Sequence, residues 1–508
     1  MSAVEAKPGD EKPAGETADA AVVAGRGALF IGFAKIYFMV TGAVQQFVLP
    51  NKLSQADFGA FAVVNSVISI VNNTMIQATL QSVSKFTAEN DARAGAVQRA
   101  GLRIQAVFAT LVAIALFLGA PLISSLLRAP QYATYFRIAA AIPFFYGFYA
   151  VFVGTANGLR RFRDQATFDV GFSTLKTILM LGAAVVWHVA GAFAGFATAA
   201  VLILLFAGRR MRQPTAASGA PLPARQLVPY MAAIGVYALL LNLALNYDVS
   251  LLQYFAAHKD AAGAPAIVAS YQTLRTLALL PYQALIVITF VIFPLVSRST
   301  FAEDKDATRA YVTQTLRYAL LFAGAMGLVL GARPGALLAI LYKNPAYGAG
   351  APALPILVAG ECTLALLGVA CAILNAAGRT RATLSFMAVT VVVGAGAAAI
   401  LIPSAEPGPA MLVAAASATS LGMAAGFLSS LVYLRTRLGG GLPLATVARV
   451  AASAGAAVLV ARILPAHGKI MGLAAIAAVG IVYAVVLIGL GEFGAEDKAK
   501  VRRILRRA

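Results

Sequence analysis

The sequence predicts an all-α polytopic membrane protein with about 14 transmembrane helices. Hydrophobic residues make up 60% of the 508 residues and charged residues only 12%, which is about half the charge of a soluble domain. Apolar stretches of about 20 residues follow one another along almost the whole chain, and a helix of that length spans the hydrocarbon core of a bilayer. Short loops that carry Lys and Arg separate these stretches. The function must therefore be sought in the few polar groups that lie inside the membrane.

The positions of the apolar stretches define fourteen predicted spans. In chain order they cover residues 27–49, 58–82, 102–127, 134–158, 167–188, 190–208, 227–254, 266–296, 314–341, 350–376, 383–403, 409–434, 444–464 and 468–490. The gap between spans 5 and 6 and the gap between spans 13 and 14 are so short that each pair is open to being read as one span.

The positive charges predict the orientation of these spans. Of the 40 Lys and Arg residues, 29 fall on the side of the N-terminal tail, 8 on the other side and three inside spans. The positive-inside rule then places both termini in the cytoplasm and requires an even number of spans. The formal net charge of +20 therefore reflects membrane topology, with some attraction for anionic lipid head groups. It does not indicate nucleic-acid binding, and the Arg502–Arg507 tail is interpreted as an anchor at the membrane surface.

A repeat divides the predicted spans into two halves. Span 2 leaves the membrane as Val83-Ser84-Lys85 and span 8 as Val296-Ser297-Arg298, while span 4 ends at Asn157-Gly158 and span 10 at Asn375-Ala376. The offsets of 213 to 218 residues correspond to six spans, which predicts two six-helix lobes in the same orientation. The alternative is that helix ends on the cytoplasmic side share Ser, Arg and Asn by composition alone.

Domain boundaries follow from the repeat. We predict a disordered cytoplasmic tail (residues 1–25), an N-lobe (26–226), a C-lobe (227–437), two appended helices (438–492) and a basic cytoplasmic tail (493–508). The first residues carry no basic start typical of a secretory signal. Cys362 and Cys371 lie about 13.5 Å apart along one helix, too far for a disulfide bond.

Three short motifs resemble those of a known family. Leu53 to Phe61 resembles the Leu-Gly-x-x-x-Phe-Gly-x-Phe/Tyr signature of polysaccharide-transport flippases, which belong to the multidrug/oligosaccharidyl-lipid/polysaccharide exporter superfamily. Asn157 to Phe162 resembles the family's Asn-Gly-x-x-x-Phe, and Phe293 to Arg298 its Phe-Pro-x-x-Ser-Arg. The residues themselves give another interpretation of Asp57: Ser54 and Asp57 form a capping box that opens span 2, and Gly59 permits close helix packing.

The resemblance implies a function, a location and partners. It implies alternating-access export of undecaprenyl-diphosphate-linked oligosaccharide across the bacterial inner membrane, for O-antigen, capsule or exopolysaccharide. Expected partners are this lipid-linked glycan, membrane lipids, and the polysaccharide polymerase and export machinery, with no nucleic acid. No cofactor and no metal are expected, and a proton or sodium gradient would drive transport.

Polar residues inside the spans are the candidate site. A Lys or Arg in the centre of a span costs roughly 2.5–3.5 kcal/mol, so each needs a partner, a route to the surface or a water-filled cavity. Helical spacing places polar stripes on spans 1, 2, 5 and 8. These stripes predict a hydrated cavity between the lobes; the alternative is interhelical hydrogen bonding. The residues predicted to bind the diphosphate or the glycan are Lys35, Gln46, Asn65, Asn72, Lys176, Gln272 and Arg275.

Two acids lie deep in spans 7 and 10. Asp248 and Glu361 are predicted to bind the coupling proton or sodium ion, with an ion pair between Asp248 and Arg275 as the alternative for the first. Prolines at 143, 281, 294 and 355 are predicted to bend spans 4, 8 and 10 and help the lobes to move.

Other functions remain as alternatives. A cation-coupled multidrug antiporter or a peptidoglycan lipid-precursor flippase of the same superfamily is the second choice, although a drug antiporter should carry more acids than bases in its cavity. A membrane glycan polymerase or ligase is disfavoured because the predicted outer loops are short and His188, His258 and His467 are scattered. The chain is therefore predicted not to be an enzyme, with no catalytic residues.

Overall fold

The computed structural model describes residues 14–212, 224–286, 304–464, 468–494 and 497, with side chains from Phe30 onward. The described chain is helical and contains no β-strand, which confirms the all-α prediction. Short 3₁₀ helices lie at Asp91–Arg93, Pro130–Tyr132 and Pro345–Gly350. The α-helices, labelled in chain order, are α1 (Ala14–Lys52), α2 (Gln55–Glu89), α3 (Ala94–Leu126), α4 (Ala133–Ala139), α5 (Ala141–Gly158), α6 (Phe162–Arg210), α7 (Ala224–Lys259), α8 (Ala264–Ala278), α9 (Lys305–Gly331), α10 (Pro334–Leu341), α11 (Leu354–Ala376), α12 (Thr380–Ser404), α13 (Pro409–Leu438), α14 (Leu444–Ile463) and α15 (Lys469–Gly489).

Twelve helical stretches of the described chain are long and apolar enough to cross a membrane. One of them, α6, is interrupted in its middle, where Trp187 and His188 depart from helical dihedrals and His188 has a φ of 49°. This helix therefore carries predicted spans 5 and 6. Predicted span 8 begins as α8, but its residues 287–296 lie outside the described residues, as does its Pro294.

Two predicted boundaries are corrected by the structure. Helix α1 already begins at Ala14, so residues 14–25 are helical and not a disordered tail; the segment is rich in Ala, the strongest helix former. Residues 1–13 lie outside the described residues, as do most of those after Gly494. Predicted span 9 was too long, because α9 ends at Gly331 and Pro334 starts the separate short helix α10, consistent with the preference of proline for a first helical turn.

The prolines interrupt only some of the predicted spans. Span 8 is broken at Leu279, just before Pro281, whose missing N–H removes a helical hydrogen bond. Span 4 is divided at Ala140, just before Pro143. Pro355 does not bend span 10, because it lies in the first turn of α11, where the missing N–H is tolerated.

The motif after span 1, Leu53 to Phe61, forms a contact between the two lobes. Ser54 caps α2, where its side chain accepts a hydrogen bond of 3.0 Å from the backbone N–H of Asp57. A Cβ on Gly59 would collide with the backbone carbonyl of Pro265 in α8. The glycine thus lets the two backbones meet directly, as small residues do in membrane helix packing.

The two halves of the predicted repeat carry the same turn. After α5, the N–H of Arg161 donates to the carbonyl oxygen of Ala156 at 2.8 Å; after α11, the N–H of Arg379 donates to that of Leu374 at 2.8 Å. The residue before each donor has positive φ, 56° at Arg160 and 72° at Gly378.

The side chains at these turns also correspond. Asn157 donates to Gln165, and Asn375 accepts from Thr383, in each case eight residues along the chain. Every one of these pairs is offset by 218 residues. Asn157 and Asn375, which belong to the sequence repeat, therefore occupy equivalent positions in the structure.

A charged cluster fastens the two appended helices to the C-lobe. The side chain of Glu492, which has no exposed surface, lies 2.6 Å from Arg317 Nε of α9 and 2.9 Å from Arg449 Nη1 of α14. Thr446 donates a third bond to the same carboxylate at 2.8 Å, and Asp497 lies 2.9 Å from Arg317 Nη2. Burial alone would raise the pKa of Glu492, but the bonds from Arg317, Arg449 and Thr446 hold it below its usual range.

We predict that Glu492→Gln loosens this attachment. The variant loses charge-assisted hydrogen bonds, each worth roughly 1.5–3 kcal/mol, and should increase hydrogen exchange at the start of α14 by about tenfold. The pKa of Glu492 is lower in the folded protein than the ~4.3 of an unfolded chain. In the wild type the attachment should therefore be complete above pH ~4.3, and it should be lost as the pH falls through the folded-state pKa of Glu492. The control is Glu89→Gln, which breaks an exposed pair with Lys85 and should leave hydrogen exchange at the start of α14 almost unchanged. Equal exchange there in both variants would contradict the role of the cluster.

Candidate functional site

A ladder of polar side chains joins α1 to the first half of α6. Lys35 Nζ lies 2.9 Å from Asp169 Oδ2, and Gln45 Nε2 donates to Thr177 Oγ1 at 2.7 Å. Thr41 and Ser173 share a hydrogen bond that lies between these two contacts. Polar side chains of spans 1 and 5 therefore face each other through Asp169 and Ser173 of the predicted span 5 stripe, whereas Gln46 of span 1 lies toward Thr276 of α8. The Lys35 side chain nevertheless keeps 53% of its surface exposed.

Lys176 differs from Lys35 in having no acidic partner within 4.0 Å among the described residues. Its Nζ lies 4.3 Å from the centre of the Phe196 ring, across the break in α6. A cation over an aromatic face gains part of what it loses in hydration, but the charge itself is not neutralised. Lys35, Asp169 and Lys176 together leave an excess of one positive charge in the membrane part of the N-lobe.

In the C-lobe, Arg275 of α8 pairs with Asp248 of α7. Arg275 Nε lies 3.3 Å from Asp248 Oδ2, and the two side chains are only 7% and 3% exposed. The Tyr271 hydroxyl donates to the same carboxylate oxygen at 2.9 Å, and this hydroxyl lies 3.1 Å from Thr419 Oγ1 of α13. The backbone N–H of Val249 donates to Asp248 Oδ1 at 2.9 Å. The predicted ion pair is thus present, and hydrogen bonds reach both carboxylate oxygens.

Glu361 of α11 is the second acid of this region. It is 1% exposed, and its Oε2 has no hydrogen-bond partner in the described part of the chain. Its helix α11 packs against α8, the helix that carries Arg275. A buried carboxyl oxygen without a partner is rare in folded proteins and calls for an explanation such as a bound proton or ion.

The uncharged residues predicted to bind the glycan lie on α1, α2 and α8. Thr276 Oγ1 and Gln46 Oε1 are 3.4 Å apart, a long hydrogen bond between α8 and α1. Asn72 is 4% exposed, and its Oδ1 has no partner among the described residues. Gln272 is 7% exposed and lies on α8 one turn before Thr276, whereas Asn65 is half-buried on α2.

Hydrogen bonds join the two lobes at the end of the molecule that carries Lys52, Lys259 and Lys343, which we call the outer face following the charge prediction. Asn51 at the end of α1 donates to the carbonyl oxygen of Leu341 at 3.1 Å and accepts from the N–H of Lys343 at 2.7 Å. Gln55 donates to Ser270 at 3.0 Å. Together with Gly59 against Pro265, these bonds close the lobes against each other at this face.

The structure thus divides the charged residues of the predicted site into two groups. Lys35 and Lys176 lie on the α1–α6 pair, whereas Asp248, Arg275 and Glu361 form a buried cluster in the C-lobe. A chamber shared by both lobes stays a prediction, because residues 287–296 of predicted span 8 lie outside the described residues.

Sequence reasoning missed two members of the C-lobe cluster. Tyr271 lies one helical turn before Arg275, so the spacing of α8 contained a signal for it. Thr419 lies on α13, far along the chain, and no sequence pattern links it to Asp248.

Comparisons with known proteins agree with this architecture. The family described as polysaccharide biosynthesis protein matches residues 24–300, more than half of the 508 residues. No curated protein matches the sequence.

Several solved structures share the fold. The lipid II flippase MurJ, in an inward closed conformation, superposes with a TM-score of 0.74 at 12% identity, covering 90% of this chain and 97% of that one. An outward-facing multidrug resistance MATE family transporter of the MOP superfamily gives a TM-score of 0.61 at 14% identity, covering 81% and 95%. A MOP superfamily transporter from Pyrococcus furiosus gives 0.58 at 15% identity, also covering 81% and 95%. At these identities the similarity concerns the fold alone.

We predict that Asp248→Asn and Arg275→Gln each destabilise the protein by roughly 3–5 kcal/mol, because each leaves the opposite charge buried without its partner. The double variant should be markedly more stable than the sum of the two single effects implies. Thermal unfolding in detergent of all four proteins checks this, and additive effects would show that the two charges do not interact.

Proposed function

The chain belongs to the polysaccharide biosynthesis protein family, and from this premise we propose that it is an alternating-access flippase for undecaprenyl-diphosphate-linked oligosaccharide repeat units. It would work in the bacterial inner membrane, with both termini in the cytoplasm, and supply O-antigen, capsule or exopolysaccharide synthesis. Its partners would be the lipid-linked glycan and the polymerase and export machinery. The protein would act as a transporter and not as an enzyme.

The observation that carries the proposal is the excess positive charge of the α1–α6 pair. Lys35 has one acidic partner and Lys176 has none among the described residues, so a ligand with a diphosphate group would supply the missing negative charge. A lysine ammonium is a compact, strongly charged partner for phosphate. Gln46, Asn65, Asn72 and Gln272 would hydrogen-bond the sugars.

The C-lobe cluster would couple transport to an ion gradient. Arg275 pairs with Asp248, and Glu361 lies on the neighbouring helix α11, so one cation would balance two carboxyl groups. Binding of a proton or a sodium ion to these acids would weaken their hold on Arg275. The guanidinium would then be free to turn toward the diphosphate, as its bidentate geometry favours. In this scheme Asp248 is both the ion-pair partner and a coupling acid.

The closed outer face supports a cycle that starts from the cytoplasm. Asn51, Gln55 and Gly59 join the lobes at that end, so the lipid-linked unit would enter from the opposite side. Release would require these contacts to break, and a ligand drives such a change only as far as it binds the second state better.

A flippase for the peptidoglycan lipid precursor is the second candidate. Such a precursor has the same type of diphosphate carrier and would meet the same lysines, and the fold is similar to that of the lipid II flippase MurJ. A multidrug antiporter is less favoured, because the excess positive charge of the N-lobe would repel a cationic drug. Deletion of the gene distinguishes the two flippases, since it should deplete surface polysaccharide in the first case and arrest cell-wall synthesis in the second.

We predict that Lys176→Met and Lys35→Met each lower the export of lipid-linked oligosaccharide by about tenfold or more, because each removes a charged contact worth roughly 1.5–3 kcal/mol. Export is measured as flipping of a labelled lipid-linked glycan in proteoliposomes at equal protein content. Lys52→Met is the matched control, since Lys52 is exposed on the outer face, and it should leave the rate unchanged. Wild-type rates in both Lys35 and Lys176 variants would refute the role of the N-lobe charge.

We predict that Glu361→Gln removes the response of transport to the coupling gradient, because an amide neither takes up a proton at neutral pH nor carries the charge that holds a sodium ion. Transport is compared in proteoliposomes with an imposed pH gradient, a sodium gradient or neither. Binding of the lipid-linked substrate should persist. A variant that still responds to the same gradient as the wild type would exclude Glu361 as a coupling acid.

A further inference from the structure

A cavity of about 640 Å³ lies on the N-lobe at the end opposite the outer face. The residues that line it come from the start of α3, the second half of α5, the end of α6 and the two residues that follow α6. It is therefore separate from the α1–α6 ladder and from the C-lobe cluster.

The walls of this cavity are layered. Arg99 and Arg209 belong to the end of the molecule where the positive charges predict the cytoplasm, and both line the cavity. Leu102 lies three residues into α3 from Arg99, and Leu205 lies four residues back along α6 from Arg209, which is about 4.5–6 Å along each helix axis. Phe152 of α5 completes the apolar layer. The charges thus lie nearer the predicted cytoplasmic end of these helices, and the apolar side chains lie further along them.

Gln98 provides a second and independent sign of a missing ligand. This residue lines the cavity, is only 2% exposed, and its Nε2 has no hydrogen-bond partner in the described part of the chain. A buried amide donor without an acceptor is costly. An oxygen atom of a bound molecule would satisfy it.

Two of the arginines that line the cavity, Arg99 and Arg209, also lack a carboxylate partner among the described residues. The nearby carboxylate of Asp164 is taken by two other arginines, Arg161 at 2.6 Å and Arg210 at 2.9 Å. Arg99 and Arg209 have no carboxylate within 4.0 Å among the residues that the structure describes, and no acidic residue lines the cavity. The cavity therefore combines positive charge, a free amide donor and an apolar floor.

We propose that this cavity binds one anionic glycerophospholipid of the cytoplasmic leaflet. The phosphate would lie between Arg99 and Arg209, an oxygen of the lipid would accept from Gln98, and an acyl chain would lie along Leu102, Phe152 and Leu205. Basic pockets between transmembrane helices on the cytoplasmic side are suited to anionic head groups. The lipid-facing position of Leu205, which is 53% exposed, gives a bilayer lipid direct access. This inference does not depend on the transported substrate.

The test is native mass spectrometry of the full-length protein titrated with phosphatidylglycerol or phosphatidylcholine. The double variant Arg99→Gln/Arg209→Gln should bind the first phosphatidylglycerol at least tenfold more weakly than the wild type, with phosphatidylcholine binding unchanged. Arg435→Gln/Arg437→Gln is the matched control, because it removes the same charge from two exposed positions at the end of α13 on the same predicted face, and it should bind as the wild type does.

Gln98→Leu separates a built site from a merely basic surface, because it removes the amide donor without changing the charge. It should weaken phosphatidylglycerol binding severalfold, and it keeps the test valid if the double arginine variant fails to fold. Equal losses in both double variants, or no loss in Gln98→Leu, would overturn the proposal. Tighter binding of undecaprenyl phosphate than of phosphatidylglycerol, lost in Arg99→Gln/Arg209→Gln, would also overturn it and assign the cavity to the carrier lipid.

Discussion

The structure depends on the need to neutralise charges where no water can do so. A bilayer offers a buried ion little solvation, so a cation inside a span must be balanced by another helix or by a ligand. Asp169 balances Lys35 between α6 and α1, and Asp248 balances Arg275 between α7 and α8. Lys176 lacks such an acid among the described residues and rests on an aromatic ring. Helix packing in both lobes is thereby tied to the same groups that the proposed transport cycle would use.

The two lobes balance their charges differently, and the difference suggests that they have different roles in transport. The N-lobe keeps an excess positive charge and polar side chains that remain partly exposed, which suits an anionic passenger. The C-lobe holds one arginine, two acids and a tyrosine in nearly complete burial, which suits a small ion. Coupling between the two would follow from competition for Arg275, because a carboxyl group that binds a proton or a metal ion attracts a guanidinium less strongly. The bonds of Asn51 and Gln55 across the outer face join the lobes in this state, and they would have to break when the lobes change their relative position.

The internal repeat explains why the two lobes share the same helical architecture although their polar sites differ. The turns after α5 and α11 have the same hydrogen bonds at an offset of 218 residues, although one has Arg160 and the other Gly378 at the residue with positive φ. An arginine in this conformation is strained by roughly 1–2 kcal/mol relative to glycine. The turn forms with an arginine as well as with a glycine at this position, which indicates that the helices on either side impose its geometry.

The sequence by itself determined the helical class, the positions of the spans and the predicted direction of crossing. Hydropathy and positive charge are properties of a continuous segment and act through the surrounding lipid, so they can be read without knowing any neighbour. The same holds for the cap at Ser54 and for the interruption before Pro281, which are local. The helicity of residues 14–25 and the early end of α9 were misjudged, because low hydropathy does not exclude helix and high hydropathy does not exclude a turn at Pro334.

Only the tertiary structure decided which polar groups meet. Lys35 and Asp169 are 134 residues apart, and Thr419 reaches the Asp248 cluster from a helix 148 residues beyond Tyr271. Such pairs depend on the rotation and depth of each helix against its neighbours, which hydropathy does not encode, because any polar stripe on a span is compatible with several partners. That Gln98 Nε2 lacks a hydrogen-bond partner among the described residues was equally hidden, since whether a donor is satisfied depends on what packs around it and not on its place in the chain.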